Sequence, residues 1–150
     1  MKHLNLSSTS LSEIQQSAFH HLKNVEVLDM SRNSLERLNL QRLRNLQWLD
    51  LSRNRFKTLP KFEEESGVYI PLEYLDISNN PFSDIMSKSL PDTLLALNIS
   101  CFNSRTFESN AVDNLHQLRE LTARGFGCSR RIEVVERGAF SNNLELKPGI

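Results

Sequence analysis

The chain has 150 residues, 39% of them hydrophobic, and its 18 Lys and Arg residues balance 18 Asp and Glu residues to a formal net charge of zero. This size and composition predict one domain with enough apolar side chains for a core. A neutral chain has no overall electrostatic attraction to nucleic acid or to an anionic membrane. No stretch is apolar for long enough to be a signal peptide or a membrane span. We therefore expect no nucleic-acid partner and no membrane contact from this segment.

A pattern of alternating leucines recurs along the chain. It starts in six windows: LNLSSTSLSEI at Leu4, LDMSRNSLERL at Leu28, LDLSRNRFKTLP at Leu49, LDISNNPFSDI at Leu75, LNISCFNSRTF at Leu97 and LTARGFGCSRR at Leu121. Successive leading leucines lie about 24, 21, 26, 22 and 24 residues apart, a period typical of repeat proteins. We expect residues 1–150 to form one solenoid of about six units, each burying its apolar edge against its neighbours.

Each leading leucine opens a predicted strand, because residues two apart in a strand point to the same face. Stacked units place these strands in a parallel sheet. Five residues after three of the leading leucines, where the chain leaves the strand, stand Asn33, Asn54 and Asn80. We expect a ladder of buried amides there that bond the backbone of neighbouring turns. The ladder position holds other residues in the first and the last two units: Thr9, Phe102 and Phe126. For the two Phe side chains we expect an apolar stack.

The segments that return between strands differ from one unit to the next. Residues 12–24 (SEIQQSAFHHLKN) and 108–118 (ESNAVDNLHQL) have apolar residues at helical spacing and predict short helices. Residues 60–71 (PKFEEESGVYIP) begin and end with proline and predict an extended loop. The expected fold is an α/β repeat: a solenoid with a parallel sheet on its concave face and short helices or loops on its convex face.

The pattern LxxLxLxxNxLxxLxxxxFxxLxx, seen best in VEVLDMSRNSLERL and SEIQQSAFHHLKN, resembles the typical leucine-rich repeats of extracellular proteins. Nearly the whole chain is similar to a stretch of a Toll-like receptor, chaoptin-like or Slit-like ectodomain. This resemblance implies a leucine-rich-repeat solenoid that is secreted or belongs to an ectodomain. It also implies a glycoprotein with a role in cell adhesion, or in signal transduction and innate immunity.

The ends of the chain lack the polar, cysteine-rich caps that protect the apolar ends of such solenoids. The first predicted strand begins at about residue 2, and FSNNLELKPGI (140–150) opens a further unit. We expect the chain to be a fragment without either cap.

Catalytic and metal-binding patterns are missing from the sequence. Its four histidines lack the spacing of a metal site: His3, His20, His21 and His116. The run Glu63–Glu65 predicts a solvated loop rather than a cation site. No nucleophile elbow, phosphate-binding loop or dinucleotide fingerprint occurs. We therefore expect no enzyme activity, no cofactor and no metal.

The two cysteines and two asparagines suggest covalent modifications. Cys101 and Cys128 lie in adjacent units, three positions out of register. A disulfide needs Cα atoms within about 7 Å, and one repeat step is shorter than that. The sequence is therefore compatible both with a disulfide and with two buried free thiols. Asn5 and Asn98 each begin an Asn-x-Ser sequon and are candidates for N-glycosylation. Both lie on the predicted concave face, where a glycan would block part of the sheet.

Outward-facing residues of the predicted strands form columns across the sheet. Trp48 and Tyr74 are neighbours in one column, Asp50 and Asp76 in the next, and Arg53 follows nearby. Aspartate is common at this place in the family pattern, so we expect that column to solvate the sheet and to pair with turn groups or arginines. Two large aromatic residues are not needed to stack repeats, and aromatics beside Arg are typical of interface hot spots. All five are candidate ligand-binding residues; alternatively, the aromatic patch packs on further repeats or on residues 60–71.

Two functions fit these features. The first is a protein-recognition module, part of a receptor or adhesion ectodomain, that binds a protein or other macromolecular ligand on its concave face. The second is an intracellular leucine-rich-repeat scaffold that regulates another protein. The sequons, the class of repeat and the cysteine pair favour the first.

Overall fold

The computed structural model describes residues 1–64, 66–83, 89–125 and 127–147. Within these ranges the strands are β1 (His3–Asn5), β2 (Val27–Asp29), β3 (Trp48–Asp50), β4 (Tyr74–Asp76), β5 (Ala96–Asn98), β6 (Thr106–Phe107), β7 (Glu120–Thr122) and β8 (Val134–Val135). Strands β1, β2, β3, β4, β5 and β7 pair in that order as one parallel sheet. Its register aligns the leading leucines of successive units, as in Leu28, Leu49 and Leu75. The predicted fold, a repeat solenoid with a parallel sheet, is confirmed, while its extent over all of residues 1–150 stays a prediction.

The core runs along the solenoid as columns of equivalent side chains. The middle residues of the central strands, including Leu28, Leu49 and Leu75, are fully buried. Phe56 and Phe82, each seven residues after a leading leucine, stack with ring centroids 6.4 Å apart. Burying one such side chain contributes about 1.5–3 kcal/mol. Each unit is therefore stabilised chiefly by the same position in the units beside it.

Hydrogen bonds tie successive units together just before each strand begins. The N–H of Glu26 donates to the carbonyl of Lys2 at 2.8 Å, and that of Gln47 donates to the carbonyl of Glu26 at 2.9 Å. The same bond recurs in every later unit and joins Lys147 to Arg119 at 3.1 Å. The repeat register therefore extends to the last residue that the structure describes.

The amide ladder is present, and Asn54 shows its geometry. Its Oδ1 accepts the N–H of Leu35 at 3.0 Å, and its Nδ2 donates to the carbonyls of Met30 at 2.9 Å and Leu51 at 3.1 Å. Leu35 and Met30 belong to the preceding unit, and Leu51 belongs to the same unit as Asn54. The amide thus bonds its own turn and the turn before it.

Asn33 and Asn80 repeat this arrangement. Asn33 accepts the N–H of Leu11 at 2.9 Å, and Asn80 accepts the N–H of Phe56 at 3.1 Å. In the first unit the hydroxyl of Thr9 donates to the carbonyl of Leu6 in its own turn. Phe102 is buried, whereas Phe126 lies outside the described residues, so the predicted Phe stack stays a prediction.

The predicted helices over residues 12–24 and 108–118 are wrong, because neither segment contains a helical residue and turns cover residues 16–21 and 23–24 of the first and 109–114 and 116–117 of the second. Their N–H groups donate to carbonyls three residues earlier, as from Ala18 to Gln15 at 2.9 Å and from Leu115 to Val112 at 3.0 Å. An α-helix rises only about 1.5 Å per residue. A series of turns covers more distance with the same number of residues and still directs apolar side chains inward.

Residues 60–71 are not the extended loop that the prolines predict but a short hairpin. Glu63 and Tyr69 form an antiparallel bridge, and the N–H of Ile70 donates to the carbonyl of Phe62 at 2.8 Å. Phe62 and Ile70 are buried and anchor the hairpin to the core. Gly67 has a φ of 81° at its turn, a conformation that glycine adopts at little cost.

The glutamate run lies at this hairpin. Glu64 pairs with Arg44 at 3.0 Å, and its side chain is only 16% exposed, so this part of the run is not the solvated loop that we expected. Glu65 lies outside the described residues.

Strands β6 and β8 form a second, two-stranded parallel sheet. Thr106 lies opposite Val134, and Phe107 lies opposite Val135. Both valines are exposed, while Phe107 is buried. None of the described segments forms an apolar helix of the length that a membrane span requires.

Candidate functional site

Trp48 and Tyr74 form a stacked pair on the sheet. β3 and β4 place the two residues opposite each other, and their rings lie 5.0 Å apart at an angle of 4°. This distance is close to the spacing of about 4.8 Å between neighbouring strands. The sheet itself therefore holds the rings face to face. Both side chains are partly exposed to solvent.

A column of three aspartates runs beside the aromatic pair: Asp29, Asp50 and Asp76. Each accepts a backbone N–H two residues further on, for example that of Ser52 on Asp50 Oδ1 at 2.8 Å and that of Ser78 on Asp76 Oδ1 at 2.9 Å. Of the two pairings that we expected, the structure has the one with turn groups. No ion pair of the described residues includes an aspartate of this column. Asp76 is only 8% exposed, so the expectation that the column is solvated is wrong at this residue.

The pKa of Asp50, at the centre of the aspartate column, is affected by burial and by its neighbours. Burial raises the pKa of Asp50, and the nearby charges of Asp76 and Asp29 raise it further, while hydrogen bonds from Ser52 act in the opposite direction. Burial also raises the pKa of Tyr74 to about 12, with added contributions from the negative charges of Asp76 and Asp50. Three carboxylates, those of Asp29, Asp50 and Asp76, therefore lie together beside the aromatic pair.

The two sequon asparagines stand at the ends of the aspartate column. Asn98 Nδ2 donates to Asp76 Oδ2 at 2.7 Å, and Asn5 Nδ2 donates to Asp29 Oδ2 at 3.4 Å. The Oδ1 atom of Asn98 also accepts the N–H of Ser100 at 3.0 Å. Both asparagines thus neighbour the candidate site, and their glycosylation stays a prediction.

Arg53 occupies a turn position with unusual backbone geometry. Its φ is 56°, and the equivalent residues Arg32, Asn79 and Cys101 have φ values of 56°, 55° and 60°. The N–H of Arg53 donates to the carbonyl of Ser78 at 2.9 Å, so the left-handed conformation serves the contact between units. Its side chain is exposed, and none of the ring contacts in the described part of the chain involves it. The structure brings Trp48, Tyr74, Asp50 and Asp76 together, and among the described residues no side-chain hydrogen bond, ion pair or ring contact joins Arg53 to them.

Cys101 and Cys128 form a disulfide with Cα atoms 5.1 Å apart. The bond joins two successive units in which asparagine no longer occupies the ladder position. It supplies a covalent link between units where the amide ladder of the described residues has ended. Among the described residues, no group of three or more His, Cys, Asp or Glu side chains could hold a metal ion.

Two sequence-family models match the chain. Residues 1–56 match a leucine rich repeat model, and residues 71–97 match a second one. Together they cover more than half of the chain. The chain belongs to the leucine-rich repeat family.

Solved structures of other leucine-rich repeat proteins share the fold. The structure of TLR13 in complex with ssRNA13 has a TM-score of 0.70 and 25% identity over 97% of this chain and 24% of its own. The functional domain of InlJ from Listeria monocytogenes, which includes a cysteine ladder, has a TM-score of 0.68 and 21% identity over 97% of this chain and 28% of its own. The LRIM1/APL1C complex has a TM-score of 0.62 and 17% identity over 90% of this chain and 27% of its own.

This leucine-rich repeat chain therefore spans about a quarter of the length of these structures. It resembles the ectodomains of Toll-like receptors in fold. A comparison with curated protein sequences gave no match.

Two residues of the concave sheet of this leucine-rich repeat chain were not predicted to be ligand-binding residues. Ala96 and Glu120 continue the column of Trp48 and Tyr74 on β5 and β7. The only signal for them in the sequence is their place in the repeat, since neither residue type suggests a binding site. Any role in binding depends on their neighbours in the column, since Ala96 lies between Tyr74 and Glu120.

Proposed function

We propose that this chain is a protein-recognition module that binds a protein ligand on its concave face, as part of a receptor or adhesion ectodomain. The stacked, partly exposed rings of Trp48 and Tyr74 carry the proposal. Leucines on the opposite side of the same strands already form the core, so the rings are not required for stacking the units. Large aromatic side chains at such places dominate the energetics of many protein interfaces.

Several observations support an extracellular location. Disulfides persist in oxidising compartments and are rare in the cytosol, and Cys101 and Cys128 are bonded. The sequons at Asn5 and Asn98 fit a secreted glycoprotein. The alternative, an intracellular scaffold that regulates another protein, accounts for the fold but not for these features.

The repeat fold is that of a binding scaffold, and we propose that the chain has no catalytic function and uses no cofactor. Strands β1 and β7 are the two edges of the main sheet in the described residues. They would pair with further repeats if the chain is part of a longer solenoid. Such a solenoid would serve in adhesion, or in signalling such as innate immunity.

The experiment first selects a binding partner and then measures how alanine substitutions on the two faces of the solenoid change its affinity. The chain, displayed on yeast, is screened against a panel of secreted and membrane proteins, and the affinity of the selected partner is measured. Trp48→Ala should weaken binding by about 2 kcal/mol or more. Tyr69→Ala, which removes an aromatic ring from the convex hairpin, should change the affinity little. Loss of binding in Tyr69→Ala with full binding in Trp48→Ala would move the site to the convex face.

Location is tested by expressing the natural gene in a eukaryotic cell and asking whether its product is secreted or retained in the cytosol. The secreted chain should show a mass shift that glycosidase removes, and Asn5→Gln and Asn98→Gln should each reduce the shift. A chain that is retained in the cytosol without a shift would support the intracellular scaffold instead.

A further inference from the structure

A small residue stands between two large ones at the edge of the aromatic pair. β4, β5 and β7 place Tyr74, Ala96 and Glu120 side by side in one column. The methyl group of Ala96 is much smaller than the side chains on either side of it. The space above Ala96, which we call the slot, lies between an aromatic residue and an acidic residue on strands roughly 10 Å apart, or two strand spacings.

The orientation of the Tyr74 ring makes one wall of this slot. Because Trp48 and Tyr74 lie almost parallel at 5.0 Å, one face of the Tyr74 ring covers Trp48. The other face is turned toward β5, where Ala96 lies opposite Tyr74. That face carries the negative end of the ring quadrupole, which attracts cations.

The electrostatics of the slot also favour a cation. The raised pKa of Tyr74 arises first from burial and then from surrounding negative charges, including those of Asp76 and Glu120. The ion pairs of the described residues join Lys2 to Glu26 and Arg44 to Glu64. None of them neutralises Glu120, which is exposed.

We infer that the slot above Ala96 receives an arginine side chain of the protein ligand. The planar guanidinium stacks on the open face of Tyr74 and pairs with the carboxylate of Glu120. This inference rests on the proposed function and names the chemistry of the partner: a protein segment with an exposed arginine. The phosphates of a nucleic acid would be repelled by the same carboxylates.

The test uses the full chain, made in the bacterial periplasm so that the disulfide forms and no N-glycan is attached. The probe is a fluorescein-labelled peptide of three Gly-Arg repeats, and its control replaces each arginine with neutral citrulline. Fluorescence anisotropy should show saturable binding of the arginine peptide and at least tenfold weaker binding of the citrulline peptide. Equal affinity for both peptides, or tighter binding of a single-stranded RNA oligonucleotide, would overturn the inference.

Two variants change the slot in different ways. Ala96→Leu fills it, and Glu120→Gln removes its charge, so each should weaken binding of the arginine peptide at least fivefold. Glu108→Gln removes an exposed carboxylate from a return segment and should change the affinity less than twofold. Wild-type affinity in a folded Ala96→Leu chain, or in Glu120→Gln, would contradict the assignment. Glu120→Gln keeps the test valid if Ala96→Leu does not fold.

The inference and the proposed function fail in different ways. If the arginine peptide does not bind but Trp48→Ala still abolishes binding of the selected protein, the arginine slot is wrong and the concave site stands. If Trp48→Ala leaves the selected protein bound with unchanged affinity, the proposed function is wrong, and the arginine slot that rests on it is withdrawn as well.

Discussion

The buried amide of Asn54 bonds the backbone of its own turn and of the turn before it. A buried amide at the exit of a strand must bond to backbone groups, so its place in the sequence predicts its role. Bonds to neighbouring turns were predicted, but their direction was not: the partners Leu35 and Met30 lie in the preceding unit rather than the next one. The left-handed turn at Arg53 was also beyond prediction, since arginine carries no signal for positive φ.

Substitution of Asn54 tests the amide ladder. In Asn54→Ala the buried N–H of Leu35 loses its acceptor, so the free energy of unfolding should fall by about 1–3 kcal/mol. Thr9→Ala, at the exposed first turn, removes a bond at 2.8 Å to the carbonyl of Leu6 and should cost clearly less. Urea denaturation of both variants measures the difference. Equal losses would mean that the amide ladder does not stabilise the solenoid.

Tyr74 makes stability depend on pH in the alkaline range. Its pKa rises from an ordinary value of 10.0 to about 12 in the folded chain. Protonated Tyr74 therefore favours the folded state, a contribution that is complete below pH 10 and is lost as the pH rises toward 12. Ultraviolet titration of tyrosinate should show a late step in the folded chain that is missing in Tyr74→Phe. A wild-type titration without that step would contradict the raised pKa of Tyr74.

Among the elements, strands were predictable and return segments were not. Alternating leucines specify which strand residues point inward, and a shift of one residue would expose them all. Residues 12–24 and 108–118 are too short for apolar spacing alone to distinguish a helix from a series of turns. The two-residue strands β6 and β8 leave almost no periodic signal. At the site, the Trp48–Tyr74 contact was predictable from strand register, whereas the slot at Ala96 required the ring orientation.

Substitutions at adjacent residues of β3 test this register. Leu49 is fully buried, so Leu49→Ala should cost about 2–5 kcal/mol of stability. Trp48 points outward and stacks on Tyr74, so Trp48→Ala should cost only about 1 kcal/mol. Chemical denaturation of the two variants gives both values. A larger loss in Trp48→Ala than in Leu49→Ala would place the wrong face of β3 in the core.

At the scale of the whole molecule, stability is the sum of contacts between successive units. The period of about 24 residues was sufficient to predict the solenoid. The disulfide was not decided by the sequence, because two cysteines three positions out of register meet only if the turn after β7 brings Cys128 back toward Cys101. The ligand could not be predicted, since the family pattern specifies the inward side chains and leaves the concave ones variable.

Reduction of the disulfide tests how strongly it holds the last units. Cys101 and Cys128 are separated by 27 residues, and closing a loop of that length contributes about 3–4 kcal/mol by the chain-entropy estimate. Denaturation of the wild-type chain with and without reductant should show a loss of this order. The double variant Cys101→Ser, Cys128→Ser should be equally unstable in both conditions. Unchanged stability of the wild-type chain on reduction would show that the bond is dispensable.

The direction of the amide ladder has a consequence for how the chain assembles during synthesis. The N–H of Leu11 bonds to Asn33, that of Leu35 to Asn54 and that of Phe56 to Asn80, acceptors that follow by 22, 19 and 24 residues. A chain that emerges from the ribosome N-terminus first must leave each turn incomplete until the next unit has been made. At about 5–20 residues per second, that interval lasts on the order of one to five seconds. A pause in translation would therefore leave only the most recently made turn without its asparagine acceptor.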